Sequence, residues 1–360
     1  MPRCLAAVVG AATLFVAGVA TSATWTRSDL PFERVFEVAA HPTLPAIGFA
    51  ATSSGVYRTT DAGFHWHRVS DLSLMAFTFN PFRAVEICAL VDGFRAPASP
   101  AAGYCSVDLG LTWLAMPGAG INFLLFDRRV PDRMYSGVGY GNQWIYVSND
   151  HGKTWKVNGY TAGHPNFHGW GASDSDSAVY VTSWPHGGGP YFYWTQPVYR
   201  SRDSGNTWES VDGEPSRWIV AIDSPQRSTL YFAIDDPSRP PGSEREYTIR
   251  ASTDGGVTWE TRGQLRTSSY LASLAADPAK SAILYAGGDS GVMFQSLDGA
   301  RSWKRIDGDQ IHEAPISIDT FEIDRINRLS VGIDGTGYAT TTNAVFTTKV
   351  VARRHSVGGR

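Results

Sequence analysis

The chain has 360 residues, of which 42% are hydrophobic and only 18% charged, with 37 glycines and 20 prolines. A chain of this kind can bury a large core, and its Gly and Pro content suits a turn-rich β protein. The formal net charge of -3 supplies no basic field for nucleic acid or for an anionic membrane surface.

Residues 1–23 read as a secretory leader: Arg3 in a short first segment, an apolar run from Cys4 to Ala20, then the small residues ATSA. Cleavage is placed after Ala23, with Ala20 as the alternative, and an uncleaved membrane anchor is the competing reading. Loss of Arg3 moves the net charge from -3 to -4. The expected product is soluble, periplasmic or secreted, and free of the membrane once the leader is removed. Residues 24–350 are expected to form one domain and 351–360 a flexible tail.

Six copies of one eight-residue pattern follow along the chain: TTDAGFHW (59–66), SVDLGLTW (106–113), SNDHGKTW (148–155), SRDSGNTW (201–208), STDGGVTW (252–259) and SLDGARSW (296–303). Their aspartates, Asp61, Asp108, Asp150, Asp203, Asp254 and Asp298, lie 47, 42, 53, 51 and 44 residues apart. A period of this length with strand-like flanks predicts propeller blades. Within each copy the Asp accepts backbone N–H groups across its own turn, Gly tolerates positive φ, and Ser or Thr adds a local hydroxyl bond. The Trp then opens a strand and buries a large ring between blades.

Each blade reads as four antiparallel strands, A to D; in the third these are INFLLFD, RMYSGV, QWIYVS and TWKVNG. That topology puts all six boxes on one end of the sheets, the lower face. Asp127, Asp223, Asp277 and Asp334, at the ends of A strands, read as turn formers on the same face. The segment Leu329 to Thr348 supplies three strands of a seventh blade and no box. Trp25 in ATWTRSD has the local look of a D strand that no box precedes. Joining the two predicts an all-β, seven-bladed propeller whose N-terminal strand completes the C-terminal blade and removes two exposed edges.

The repeated pattern resembles the Asp-box (BNR-repeat) β-propeller superfamily over nearly all of the chain after its N-terminus. That superfamily includes sialidases, xyloglucan-hydrolysing glycosidases, sortilin-type receptors and photosystem II assembly factors, so the resemblance implies a fold and not one function. The strand texts DPAKSAILYAGG, GVMFQSLDG and GVYRTTDAG look most similar to the xyloglucan-hydrolysing and sortilin-like repeats. Phe32-Glu33-Arg34-Val35 is a poor match to the Phe/Tyr-Arg-Ile-Pro segment of sialidases, which argues against that activity. The xyloglucan-hydrolysing glycosidases pair two propellers around a cleft, whereas this chain supplies one, and no catalytic aspartate carries over.

Cys88 and Cys105 fall on neighbouring strands of the second blade, which in an oxidising compartment favours a disulfide. Two isolated buried thiols are the other reading. No metal-ligand spacing is present, and neither a cofactor nor an oligomer is expected.

Candidate function lies where the repeat breaks, in the upper-face connections of blades three to five. Tyr140, Trp144, His164, His168, Trp170, Trp184, His186, Tyr191, Tyr193, Trp194, Arg217 and Trp218 form the candidate ligand-binding set. Aromatic rings with a few polar partners suit the apolar faces and hydroxyls of sugars, and also suit protein recognition or an axial plug. Candidate acid–base residues are Asp235, Asp236, Glu244, Glu246, Glu313 and His186, because glycoside hydrolysis uses two carboxyl groups facing the scissile bond. The expected ligand is a glycan or polysaccharide, with hydrolase or lyase chemistry open. The alternative is a non-enzymatic scaffold that binds a protein partner through a propeller face.

Overall fold

A computed structural model describes residues 25–31, 34–91, 103–117, 123–138, 144–160, 171–173, 178–182, 198–211, 220–222, 229–235, 243–269, 271–288, 292–306, 329–340 and 344–349. Among them there is no helix, and 28 strands form seven four-stranded antiparallel sheets. After β1 (Thr26–Arg27), blade one is β2 (Val35–Ala40), β3 (Gly48–Thr52), β4 (Gly55–Thr59) and β5 (His67–Ser70). Blade two is β6 (Leu74–Phe79), β7 (Ile87–Val91), β8 (Gly103–Ser106) and β9 (Leu114–Met116). Blade three is β10 (Phe123–Phe126), β11 (Met134–Val138), β12 (Trp144–Ser148) and β13 (Lys156–Tyr160). Blade four is β14 (Gly171–Ser173), β15 (Val179–Thr182), β16 (Val198–Ser201) and β17 (Glu209–Ser210). Blade five is β18 (Val220–Ile222), β19 (Leu230–Asp235), β20 (Arg245–Ser252) and β21 (Glu260–Thr267). Blade six is β22 (Leu271–Ala276), β23 (Leu284–Gly288), β24 (Met293–Ser296) and β25 (Lys304–Arg305). The last sheet holds β26 (Leu329–Val331), β27 (Thr336–Thr340) and β28 (Val345–Lys349), with β1 as its fourth strand, Thr26 opposite Thr347 and Arg27 opposite Phe346. β26 packs beside both β22 and β2, so the seventh sheet stands between the sixth and the first.

The box is closed by hydrogen bonds that recur in all six copies. The leading Ser or Thr hydroxyl donates to the Asp Oδ1 at 2.7 to 2.9 Å. The same hydroxyl accepts the N–H of the fifth box residue at 2.7 to 2.9 Å. The residue before the Trp donates its N–H to Asp Oδ1 at 2.8 to 2.9 Å and its side chain contacts Oδ2 at 2.5 to 2.6 Å. Two successive residues take positive φ to make this turn, for example Leu109 at 59° and Gly110 at 81°. The second needs Gly wherever the preceding blade is close: a Cβ on Gly110 would stand 2.8 Å from Phe49, and one on Gly152 2.5 Å from Met116 Sδ.

Each box aims its Trp into the sheet before it. Trp66 packs with Tyr338 and Val345, Trp113 with Phe49 and Val56, Trp155 with Leu90 and Met116, and Trp208 with Phe123 and Tyr135. Trp259 packs with Tyr180 and Val211, and Trp303 with Tyr247 and Leu265. Trp25 follows the same rule without a box: it packs on Tyr285, Met293 and Ile306 of blade six and on Phe346 of its own sheet. Dispersion and apolar burial at these seven places are what join one sheet to the next.

The A–B corners are built alike. Asp127 Oδ1 accepts the N–H of Arg129 and Val130, and Asp277 Oδ1 those of Ala279 and Lys280. Asp334 accepts the Thr336 N–H and hydroxyl, in keeping with its reading as a turn former; Asp223 lies outside the described residues. Asn80 Oδ1 does the same for Phe82 and Arg83, and His41 Nδ1 for Thr43 and Leu44. The last two were not among the sequence candidates. His41 keeps its Nδ1 as an acceptor by donating Nε2–H to the Ala84 carbonyl of the next blade at 2.6 Å. Burial pushes its pKa down, the Ala84 bond opposing, in accord with a neutral ring.

Cys88 and Cys105 are direct cross-strand neighbours of β7 and β8 and are joined as a disulfide. Closing a loop of 17 residues contributes about 3 kcal/mol in the chain-entropy account. Next to it a polar bridge ties blade two to the box of blade three. Buried Glu86 takes hydrogen bonds from Asn80, Arg83 and His151 Nε2, while His151 Nδ1 and Arg83 both meet Asp132. The Glu86 hydrogen bond raises the His151 pKa above the ordinary 6.5 against the opposing effect of burial. For Glu86 burial favours the neutral acid, but the His151 bond and charge, with Arg83 and Asn80, outweigh it and hold the carboxyl below its ordinary 4.5.

Two outcomes follow from this packing. Trp25→Ala should cost roughly 3–5 kcal/mol, the usual figure for emptying a buried indole site, read as a large fall in Tm; an unchanged Tm would show that Trp25 does not join the last sheet to the sixth. The bridge should also give stability a bell-shaped pH profile. The His151 contribution is fully present below about pH 6.5 and is lost as pH rises through its raised folded value. The Glu86 contribution is present above about pH 4.5 and is lost as pH falls through its lowered one. Box residues Asp108 and Asp150, held down at about 2 by the hydroxyls of Thr112 and Thr154 respectively and by further box donors, add to the acid side. Urea midpoints of the wild type and His151→Gln between pH 5 and 9 check this, with the variant expected to lose the alkaline decline.

Candidate functional site

The antiparallel blades separate two ends. Boxes and A–B corners share the lower end, where Leu109 N–H donates to the Val85 carbonyl and His151 N–H to that of Asp132. The B–C connections leave from the other end, the face to which the sequence reading assigned its candidates. Of these, Tyr140, His164, His168, Trp170, Trp184, His186, Tyr191, Tyr193, Trp194, Arg217, Trp218, Asp236 and Glu313 lie outside the described residues. Four candidates are described: Trp144, Asp235, Glu244 and Glu246.

Trp144 is the first residue of β12, opposite Val138 on one side and Tyr160 on the other. Its side chain is 40% exposed, in contrast to the D-strand Trp rings wedged between sheets. The sheet fixes its backbone while the indole faces solvent at the upper end, an arrangement that suits stacking against a flat apolar partner.

The acidic candidates of blade five are arranged differently. Asp235 ends β19, Arg245 begins β20, and the two form an ion pair with both side chains more than nine-tenths buried. Glu246 pairs with Arg266, its cross-strand neighbour, at 2.7 Å. Successive side chains leave a strand on opposite faces, and Asp235 sits opposite Tyr247, on the Arg245 side. The sheet therefore stands between Asp235 and Glu246, and this pair does not flank one scissile bond. Removing one partner of a buried pair leaves an uncompensated charge, which identifies Asp235 and Arg245 as supports of the β19–β20 end. Glu244, beside them, is exposed.

At the lower end, Glu86, His151 and Cys88 bring one potential donor atom each within 4.8 Å of one another. The Cys88 sulfur is held in the disulfide and supplies no thiolate, and the Arg83 guanidinium 3.3 Å from Glu86 opposes a cation. The group therefore fits an ion-pair bridge better than a metal centre. Sequence reading missed it because its members come from blades two and three. The one available signal was the odd His151 at a box position that elsewhere holds Ala, Leu, Ser or Gly.

Comparison with known proteins agrees with the repeat and the fold. The BNR/Asp-box repeat family matches residues 146–157. A xyloglucanase from a Paenibacillus species is 27% identical over 225 residues, which cover 58% of this chain and 18% of the relative's length. Among solved structures, YCF48 from Cyanidioschyzon merolae superposes with a TM-score of 0.60 at 14% identity, over 90% of this chain and 98% of its own. YCF48 bound to a D1 peptide gives 0.59 at 13% identity, over 94% and 98%. The GH74 xyloglucanase of Xanthomonas campestris gives 0.62 at 17% identity, over 90% of this chain and 53% of its own. The chain thus spans under a fifth of the xyloglucanase relative and about half of the GH74 structure, and nearly the whole of the YCF48 propeller. With its seven four-stranded sheets the chain is a seven-bladed β-propeller, and the third of its six boxes lies within the match to the BNR/Asp-box repeat.

Proposed function

We propose that this chain is an exported propeller that binds a glycan or polysaccharide at the end of its sheets opposite the boxes. The observation that carries this is Trp144, an indole left 40% exposed on the first residue of β12, whereas the D-strand Trp rings are packed between sheets. Stacking on a sugar ring buries the indole face and leaves the sugar hydroxyls for polar neighbours. Tyr193, Trp194, His186 and Arg217 are assigned to that surface with it, and the 225-residue similarity to a xyloglucanase supports a polysaccharide ligand. Binding is favoured over hydrolysis by the ion pairs that engage Asp235 and Glu246. The leader at residues 1–23 delivers the domain to the periplasm or beyond, where the Cys88–Cys105 disulfide is stable.

The second reading, a scaffold that binds a polypeptide, is favoured by one observation: the chain covers 98% of YCF48, one copy of which is bound to a D1 peptide, against 53% of the GH74 enzyme. A glycan array and a peptide array separate the two. Trp144→Ala is expected to weaken binding to the glycan found by about 1–3 kcal/mol, the value of burying a large apolar side chain, with Tm unchanged. Trp208→Ala should instead lose roughly 3–5 kcal/mol of stability. Retention of full glycan affinity by Trp144→Ala, or ligands on the peptide array alone, would overturn the glycan reading.

A further inference from the structure

A cleft of about 360 Å³ opens at the lower end between blades five and six. Two guanidinium groups line it, Arg262 from β21 and Arg301 from the sixth box, together with the hydroxyls of Thr229, Tyr231, Thr253 and Ser281. It lies on the opposite end of the sheets from Trp144 and is independent of the glycan reading.

The cleft presents two guanidinium groups beside its hydroxyls. Among the described residues Arg262 Nε is buried without a hydrogen-bond partner, and the same guanidinium meets Glu260, whose side chain is 61% exposed, through its Nη2. A buried donor left unpaired is costly and marks a place where a ligand atom or water belongs. Arg301 places Nη1 on the Asp298 carbonyl at 2.8 Å, which anchors its guanidinium at the rim. Asp298 also lines the cleft, but its carboxylate is turned into its own box: Oδ1 accepts from Ser296 Oγ, Arg301 N and Ser302 N, and Oδ2 from Ser302 Oγ. The spacing of the two arginines is fixed by close backbone contact. A Cβ on Gly263, next to Arg262, would stand 2.5 Å from the Ala300 carbonyl oxygen and 2.6 Å from that of Arg301.

The geometry points to an oxyanion-binding site in this cleft, with Arg262 and Arg301 holding a carboxylate or phosphate group through charge-assisted hydrogen bonds and the hydroxyls completing its coordination. The planar guanidinium fork matches both anions. Glu260 occupies the Arg262 fork when the cleft is empty and is displaced by the ligand, so it acts as an internal competitor.

The test is calorimetric titration of the full chain at low salt with inorganic phosphate and, separately, with D-glucuronate. Saturable binding of at least one is expected; tighter phosphate binding identifies a phosphate-bearing ligand, and tighter glucuronate binding an acidic sugar. Arg262→Gln and Arg301→Gln should each weaken that binding by at least roughly tenfold, whereas Lys156→Gln in β13 should leave it unchanged. Glu260→Gln should strengthen it several-fold, a gain that no loss of folding can imitate. No saturable binding of either anion up to about 10 mM, unaltered affinity in both arginine variants, or no gain in Glu260→Gln would overturn the proposal.

Discussion

The carboxylate at the third position of each box is the group on which the rest of the structure depends. Its two oxygens are filled by donors from within eight residues, and that closes a turn in which two successive residues have positive φ. A left-handed residue other than Gly costs roughly 1–2 kcal/mol. At Ala300 that strain is met by four hydrogen bonds to Asp298, each contributing of order 1 kcal/mol after discount for solvent exposure. The closed turn sets the direction of the next residue, the Trp, and the Trp lands on the preceding sheet. One local set of hydrogen bonds thereby specifies a long-range contact, and its repetition specifies the order of blades.

Most box tryptophans are held twice. Trp66, Trp113, Trp155 and Trp208 donate Nε1–H to the carbonyl of their own box glycine at 2.9 to 3.1 Å, which locks the ring orientation before packing is counted. Trp303 follows Ala300 instead of Gly, and among the described residues neither its buried Nε1 nor that of the unboxed Trp25 has a hydrogen-bond partner. The interface of blades five and six, where the sixth box departs from the pattern, is also where the cleft with Arg262 and Arg301 opens.

The two ends of the sheets are constrained in different ways. At the lower end, boxes and corners close on each other through short-range bonds, and the bridge of Glu86, His151, Arg83 and Asp132 adds a charged link between two blades. At the upper end the described candidates are placed by strand register, and Asp235 and Glu246 are held in addition by Arg245 and Arg266.

The period of the boxes was legible without coordinates because Asp, Gly, Thr and Trp each answer a local geometric demand. The unboxed Trp25 and the three strands at the C-terminus were legible because each lacks what the other supplies. The pairing of Cys88 with Cys105 followed once the two were placed on adjacent strands. Tertiary structure alone decided the roles of His41 and Asn80, since an imidazole nitrogen does the work of a carboxylate oxygen only where burial and the Ala84 carbonyl fix its tautomer. It also decided Asp235 and Glu246. A sequence shows acidic residues around one connection, but the alternation of strand faces sends Asp235 and Glu246 to opposite faces of the sheet, each to its own arginine. Local turns are written in the order of residues, whereas ion pairs between strands and clefts between blades exist only after register and packing are set.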